Sequence, residues 1–147
     1  GSSSAILTAE EAMNVNMDFD SLINIKSMLG SAGIIVMDEK VDMVQACLNI
    51  ARFYEHESCG QCTPCREGTT WLVKMLIRMI NGGGTERDIE MIYEITDNIG
   101  GLIDFSQGSF GKTICPFGEA VAWPVRSFVE KFKDEFLGYM PNLEVAA

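Results

Sequence analysis

His56-Glu57-Ser58-Cys59-Gly60-Gln61-Cys62-Thr63-Pro64-Cys65-Arg66-Glu67-Gly68 places three cysteines within seven residues. The spacing is C-x2-C-x2-C. A fourth thiol, Cys115, follows the third after 49 intervening residues and is followed directly by Pro116. Ligands at every third residue let one backbone loop wrap three side chains onto one corner of a compact object. The remaining corner must then be supplied by a distant segment.

Four thiolates, three from a tight run and one from afar before a proline, match the way a [4Fe-4S] cluster is held. Zinc is the alternative, although structural zinc usually takes its ligands as two separate paired arms, which leaves the third cysteine of the run without a use. A redox C-x-x-C pair of the thioredoxin kind wants a βαβ setting that the surrounding sequence does not offer. An empty site with free thiols or disulfides is the remaining reading. The residues between the ligands suit an electron-rich group. Gly60 permits a tight backbone path, Thr63 offers a hydroxyl and an N–H, and Pro64 suits the first turn of a helix whose positive end faces the site. Arg66 and Lys112 can add positive charge. Gly60, Thr63 and Arg66 are therefore candidates for supporting the group from behind its ligands. His56, the single histidine, reads as a neighbour of the site rather than a ligand. Cys47 lies on an apolar helix stripe and reads as a buried core thiol.

The chain has 147 residues, is 47% hydrophobic and 22% charged, and carries a formal net charge of -10. That composition supports a core of ordinary domain size. The acidity disfavours nucleic acid and anionic membrane as partners. No apolar run reaches the roughly 18 residues of a spanning helix, so direct membrane insertion is not expected. Five cysteines, clustered and with no signal peptide visible, argue against a disulfide framework. A hydrolytic Ser/His/Asp set, a GxGxxG turn and a phosphate loop are not found, and no residue is assigned a catalytic role. The opening GSSSAIL without an initiator Met is what a fragment or a processed chain would show.

Two parts are expected. In residues 1–38, Asp18 or Asp20 caps a helix carrying Phe19, Leu22, Ile23, Ile25 and Leu29, closed by Gly30. The β-branched run 33–38 predicts a strand, with 4–7 as a weaker one. A single strand cannot form a sheet, so exposed edge and apolar surface are expected there. Residues 39–147 read as helical. Met43, Cys47, Ile50 and Tyr54 share one face. A second helix runs over about 64–81 with Leu72, Met75, Leu76, Met79 and Ile80 inward, stopped by Gly82-Gly83-Gly84. Thr85 and Asp88 form a capping box for a third helix lined by Ile89, Ile92, Ile95 and Ile99, ending at Gly100-Gly101. A Gly- and Ser-rich loop spans 104–113. The last helix starts between 117 and 121, since Pro124 is tolerated only near a start, and buries Val121, Val125, Phe128, Phe132 and Phe136. The expected fold is mainly α: a four-helix bundle after the C-terminal part of a small α+β unit.

The stretches ESCGQCTPCREGT (57–69) and TICPFGEAVAWPV (113–125) resemble the C-terminal iron–sulfur region of the NADH-binding flavoprotein subunit of NADH:quinone oxidoreductase, respiratory complex I. They are also similar to the diaphorase subunits of NAD-linked hydrogenases and formate dehydrogenases. GSSSAIL and the run from MDFDSL to MLGSAGIIVMDE resemble the end of that subunit's SLBB-type β-grasp domain. The resemblance implies that Cys59, Cys62, Cys65 and Cys115 ligate one [4Fe-4S] cluster. It implies a module that takes single electrons from FMN, reduced by NADH, and passes them to the next iron–sulfur centre. The GRGGAGFP-type segment for FMN and NAD(H) is absent, so those cofactors are expected in a preceding region. The implied partners are the flavin domain of the same subunit and neighbouring iron–sulfur subunits. The implied location is the peripheral arm of a membrane complex, in bacterial cytoplasm or mitochondrial matrix.

Overall fold

The computed structural model describes residues 1–101 and 111–141, and the described residues are helical and irregular, with no strand among them. Seven α-helices follow in order: α1 (Ala9–Asn14), α2 (Phe19–Asn24), α3 (Met43–Glu57), α4 (Thr63–Arg78), α5 (Glu86–Ile99), α6 (Phe117–Lys131) and α7 (Lys133–Gly138). Helices α3 to α6 form a ring in which α3 packs on α4, α4 on α5, α5 on α6 and α6 back on α3. This is the expected bundle.

The apolar stripes explain the ring. Val44, Cys47, Leu48, Ala51 and Tyr54 of α3 meet Leu72, Val73, Met75 and Leu76 of α4, Ile89, Ile92, Ile95 and Ile99 of α5, and Val121, Val125 and Phe128 of α6 in one buried core. Full burial of each large side chain stabilises by about 1.5–3 kcal/mol. The caps agree with the pattern: Asp42 accepts from the Gln45 N–H at 2.8 Å, and Thr85 and Asp88 form the reciprocal box at α5. Helix α4 stops through a single π turn, Met79–Gly83, in which Gly82 takes φ +77. Gly84 is needed for closeness, because a Cβ there would lie 2.8 Å from Met79 Cγ.

Three expectations for residues 1–38 fail. The run 33–38 is not a strand. Ile34 and Val36 are 70% and 85% exposed, and β-branched propensity cannot make a strand without a neighbour to bond. Segment 4–7 is not a strand either; its groups are taken by side chains instead, with Ser27 Oγ donating to Ala5 O at 2.8 Å and the Ile6 N–H donating to Ser127 Oγ at 2.9 Å. Helix α2 begins at the Asp18 cap as expected but ends at Asn24, well before Gly30. Lys26 takes φ +59, its N–H bonds Ile23 O, and the Ser27 N–H bonds Leu22 O at 2.8 Å. That is the Schellman closure, with lysine in the place glycine usually fills.

The last helix is also not continuous to Phe136. Phe132 leaves helical geometry at φ -121, ψ 31, and α7 restarts after it. Phe136 is nonetheless fully buried, so the four-residue spacing survives across the break. Pro124 sits in the third turn of α6, not at its start, buried and with its carbonyl accepting from Ser127 Oγ at 2.8 Å. Of the loop expected at 104–113, residues 104–110 lie outside the described residues.

A candidate iron–sulfur site between two loops

The up-and-down order of the ring puts the α3–α4 connection and the α5–α6 connection at one end of the bundle. The first carries Cys59, Cys62 and Cys65; the second carries Cys115. An edge-on ring pair ties these two regions together: Tyr54 near the end of α3 and Phe117 at the start of α6 have centroids 5.5 Å apart at 81°.

In the first loop, Ser58 closes α3 with its N–H on Tyr54 O at 3.1 Å. Gly60 then turns the chain with φ +75, a conformation that costs a residue with a Cβ. Cys62 is the residue before α4, with Thr63 and Pro64 in the first turn and no side chain capping the helix. Uncapped N–H groups and the positive end of α4 therefore face the cysteine loop, a setting that favours a negatively charged group. Cys65 is buried, Cys62 half-buried and Cys59 exposed, and none of them is in a disulfide.

The second loop is held by the C-terminal carbonyls of α5. The Lys112 N–H donates to Asn98 O at 3.0 Å, and Thr113 Oγ donates to Ile99 O at 3.1 Å. Three glycines permit this approach. A Cβ on Gly111 would lie 2.0 Å from Ile99 O, one on Gly118 2.1 Å from Thr113 Oγ1, and one on Gly100 2.5 Å from Gly118 O. The result brings the loop against the first one: the Ile114 N–H donates to Cys62 Sγ at 3.4 Å. Cys115, next in sequence, is exposed at the same edge.

Burial pushes the Cys65 thiol above its usual range. A hydrogen bond with Ser58 opposes this, while the nearness of Cys59, Cys62 and Cys115 pushes it further up. The other three sulfurs are thus within electrostatic reach of Cys65. Among the described residues, no group of three or more His, Cys, Asp or Glu side chains is arranged to hold a metal ion. Four sulfur donors at one end of the bundle, beside uncapped N–H groups, could together hold a negatively charged group.

The other residues singled out from sequence fall as follows. Arg66 donates Nη1 to Gly60 O at 2.8 Å and Nε to Glu67 at 2.9 Å, so it braces the loop backbone. Thr63 is exposed at the start of α4. Lys112 gives its ammonium to Asn98 Oδ1 at 2.6 Å. His56 is exposed on the last turn of α3. Cys47 is fully buried in the core, away from the four, and burial alone pushes its thiol far up. Sequence reasoning missed Ser58, Thr113 and the N–H of Ile114. A hydroxyl residue directly before the first cysteine, where an apolar helix pattern ends, was the available signal for Ser58. The other two depend on a contact across the bundle that spacing does not reveal.

Comparison with known proteins supplies the context. Residues 45–139 match the family described as NADH-ubiquinone oxidoreductase-F iron-sulfur binding region. The F subunit of NADH-quinone oxidoreductase from Rickettsia typhi is 40% identical over 146 residues, covering 99% of this chain and 32% of that protein. The mitochondrial NADH-ubiquinone oxidoreductase 51 kDa subunit of Aspergillus niger is 43% identical over 135 residues, covering 92% of this chain and 25% of that protein. The chain thus spans about a third or less of these relatives' length. Among solved structures, NAD+-reducing [NiFe]-hydrogenase in the H2-reduced state superposes with a TM-score of 0.76 at 26% identity, covering 96% of this chain and 22% of that one.

Proposed function

Because this chain belongs to the family of the NADH-ubiquinone oxidoreductase-F iron-sulfur binding region, we propose that it is the electron-relay part of an NADH dehydrogenase subunit, with one [4Fe-4S] cluster on Cys59, Cys62, Cys65 and Cys115. The observation that carries this reading is the Ile114 N–H on Cys62 Sγ at 3.4 Å, which closes the two cysteine loops onto one place. When bound, the cluster takes and gives one electron at a time. The chain's own residues do the rest. The thiolates bind, and the start of α4 directs N–H groups toward negative charge. Arg66 fixes the Gly60 turn, and the Thr113 hydroxyl holds the segment that carries Cys115. Cys59 and Cys115 lie at the surface, where a donor and an acceptor can approach.

In this reading FMN and NAD(H) belong to another region of the same subunit, and the electron leaves for a neighbouring iron–sulfur subunit in the peripheral arm of a membrane complex, in bacterial cytoplasm or mitochondrial matrix. Among the described residues, no helix is long and apolar enough to cross a membrane. Residues 1–38 are read as the end of an SLBB-like β-grasp unit and 39–147 as the cluster-binding part. The exposed Ile34, Ile35 and Val36 support that division, as a strand sequence lacking its sheet. The likeness to NAD+-reducing hydrogenase supports a second reading, the same relay in the diaphorase subunit of a hydrogenase or formate dehydrogenase. A serine series tests the ligand set. Cys59→Ser, Cys62→Ser, Cys65→Ser and Cys115→Ser are each expected to abolish or alter the reduced-cluster EPR signal. A Cys115→Ser protein with that signal untouched would refute the assignment.

A further inference from the structure

We propose that Ser58 raises the reduction potential of the site by donating its hydroxyl proton to the sulfur of Cys65, an inference that rests on the cluster reading above. Ser58 Oγ lies 3.3 Å from Cys65 Sγ, within reach for a bond to sulfur. The Gly60 N–H occupies a lone pair of the same hydroxyl oxygen at 3.3 Å, which leaves the hydroxyl proton free to point elsewhere. Between a thiol and a hydroxyl either partner can donate. A ligating thiolate carries no proton, so toward it only the hydroxyl can.

The position of the donor makes this bond count. Cys65 is the one buried sulfur of the four, so water does not compete for it, and a hydrogen bond in a low-dielectric setting is stronger than one at the surface. Ser58 is itself held: its N–H is fixed on Tyr54 O, and Tyr54 is buried against Phe117. The other sulfurs are placed differently. Cys62 receives a backbone N–H from Ile114, which no substitution other than proline removes, while Cys59 and Cys115 face solvent. Among the described residues, Ser58 is therefore the side chain whose hydroxyl reaches one of the four sulfurs. A donor on a ligand sulfur stabilises the more electron-rich, reduced form, which raises the potential.

The test is an EPR-monitored redox titration of the anaerobically purified protein with its cluster, comparing wild type with Ser58→Ala, Ser58→Thr and Ser58→Val. Ser58→Ala and Ser58→Val are expected to lower the midpoint by the equivalent of about a tenfold change in the reduction equilibrium, about 59 mV for one electron. Ser58→Thr, which keeps the hydroxyl, is expected to stay near wild type. Loss of the cluster in the Ala and Val variants with retention in Thr at near wild-type potential also supports a hydroxyl donor. A wild-type potential in Ala or Val overturns the proposal. So does a Thr variant that behaves like Ala, or a cluster lost equally in all three, since the site would then need the shape of serine and not its proton. A wild-type protein that holds no cluster refutes the relay reading instead, so the two failures are separable.

Discussion

Replacing Gly118 by alanine sets the local packing against the site. Gly118 is in the first turn of α6, where a Cβ would lie 2.1 Å from Thr113 Oγ1 and 2.6 Å from Ile99 O. The hydroxyl must rotate away, which breaks its 3.1 Å bond to Ile99 O, at about 1 kcal/mol. Ile99 O is backbone and must retreat by about 0.8 Å to reach the 3.4 Å of ordinary contact. Overpacking of this kind costs about 1–3 kcal/mol, and the better helix propensity of alanine returns at most about 1 kcal/mol. The net loss, about 1–3 kcal/mol, falls on the loop that carries Cys115. Displacing a support of this kind typically weakens metal affinity by about 10–100-fold. Gly68→Ala is the control. Its Cβ would meet the Cδ1 tip of Ile99 at 2.6 Å, a flexible side chain on the core side, so it should lower Tm without loosening Cys115. Iron content after chelator challenge, followed beside thermal unfolding by circular dichroism, separates the two. Iron retention by Gly118→Ala equal to that of Gly68→Ala at matched Tm would refute the clamp.

Cys47→Ser should lower Tm by burying a hydroxyl, at about 1–3 kcal/mol, yet keep the full iron complement; iron lost in step with Cys115→Ser would show that Cys47 is a ligand. Asp88 is 1% exposed, accepts from the Thr85 N–H at 2.8 Å and its hydroxyl at 3.0 Å, and pairs with Arg78. Asp88→Ala should cost about 2–4 kcal/mol in chemical denaturation, and an unchanged midpoint would count against the capping box. At Glu11, burial pushes the carboxyl up, but the Lys131 ammonium and the Thr8 N–H outweigh it, so the net shift is downward. The stability this pair adds is complete above the ordinary carboxylate range of about 4.3 and is lost as pH falls through the lowered value. Glu11→Gln should therefore narrow its stability gap to wild type below pH of about 4. A gap independent of pH would contradict the ion pair.

The bundle is legible in the sequence because each of its helices writes its buried face at spacings of three and four. Val121, Val125 and Phe128 need no tertiary information to be placed inward. The break at Phe132 is hidden because α7 resumes almost in register and buries Phe136 as a continuous helix would. The strand reading of 33–38 fails because propensity is local and pairing is not. Lys26 ends α2 in a left-handed conformation that nothing in its own chemistry announces. At the site, spacing names the four thiols. The contacts of Ser58 with Cys65, and of Thr113 and the glycines with α5, arise where separate helices meet and have no signature along the chain. Arg66 stands out in the sequence for its charge, but its geometry fixes the Gly60 turn.

The central claim is that these four thiols hold a polynuclear cluster. Anaerobic reconstitution with iron, sulfide and competing zinc, followed by metal and sulfide analysis and EPR after dithionite reduction, tests it directly. About four irons and about four sulfides per chain, with a reduced-state signal lost in Cys115→Ser, are expected. Stoichiometric zinc with no bound sulfide would contradict it.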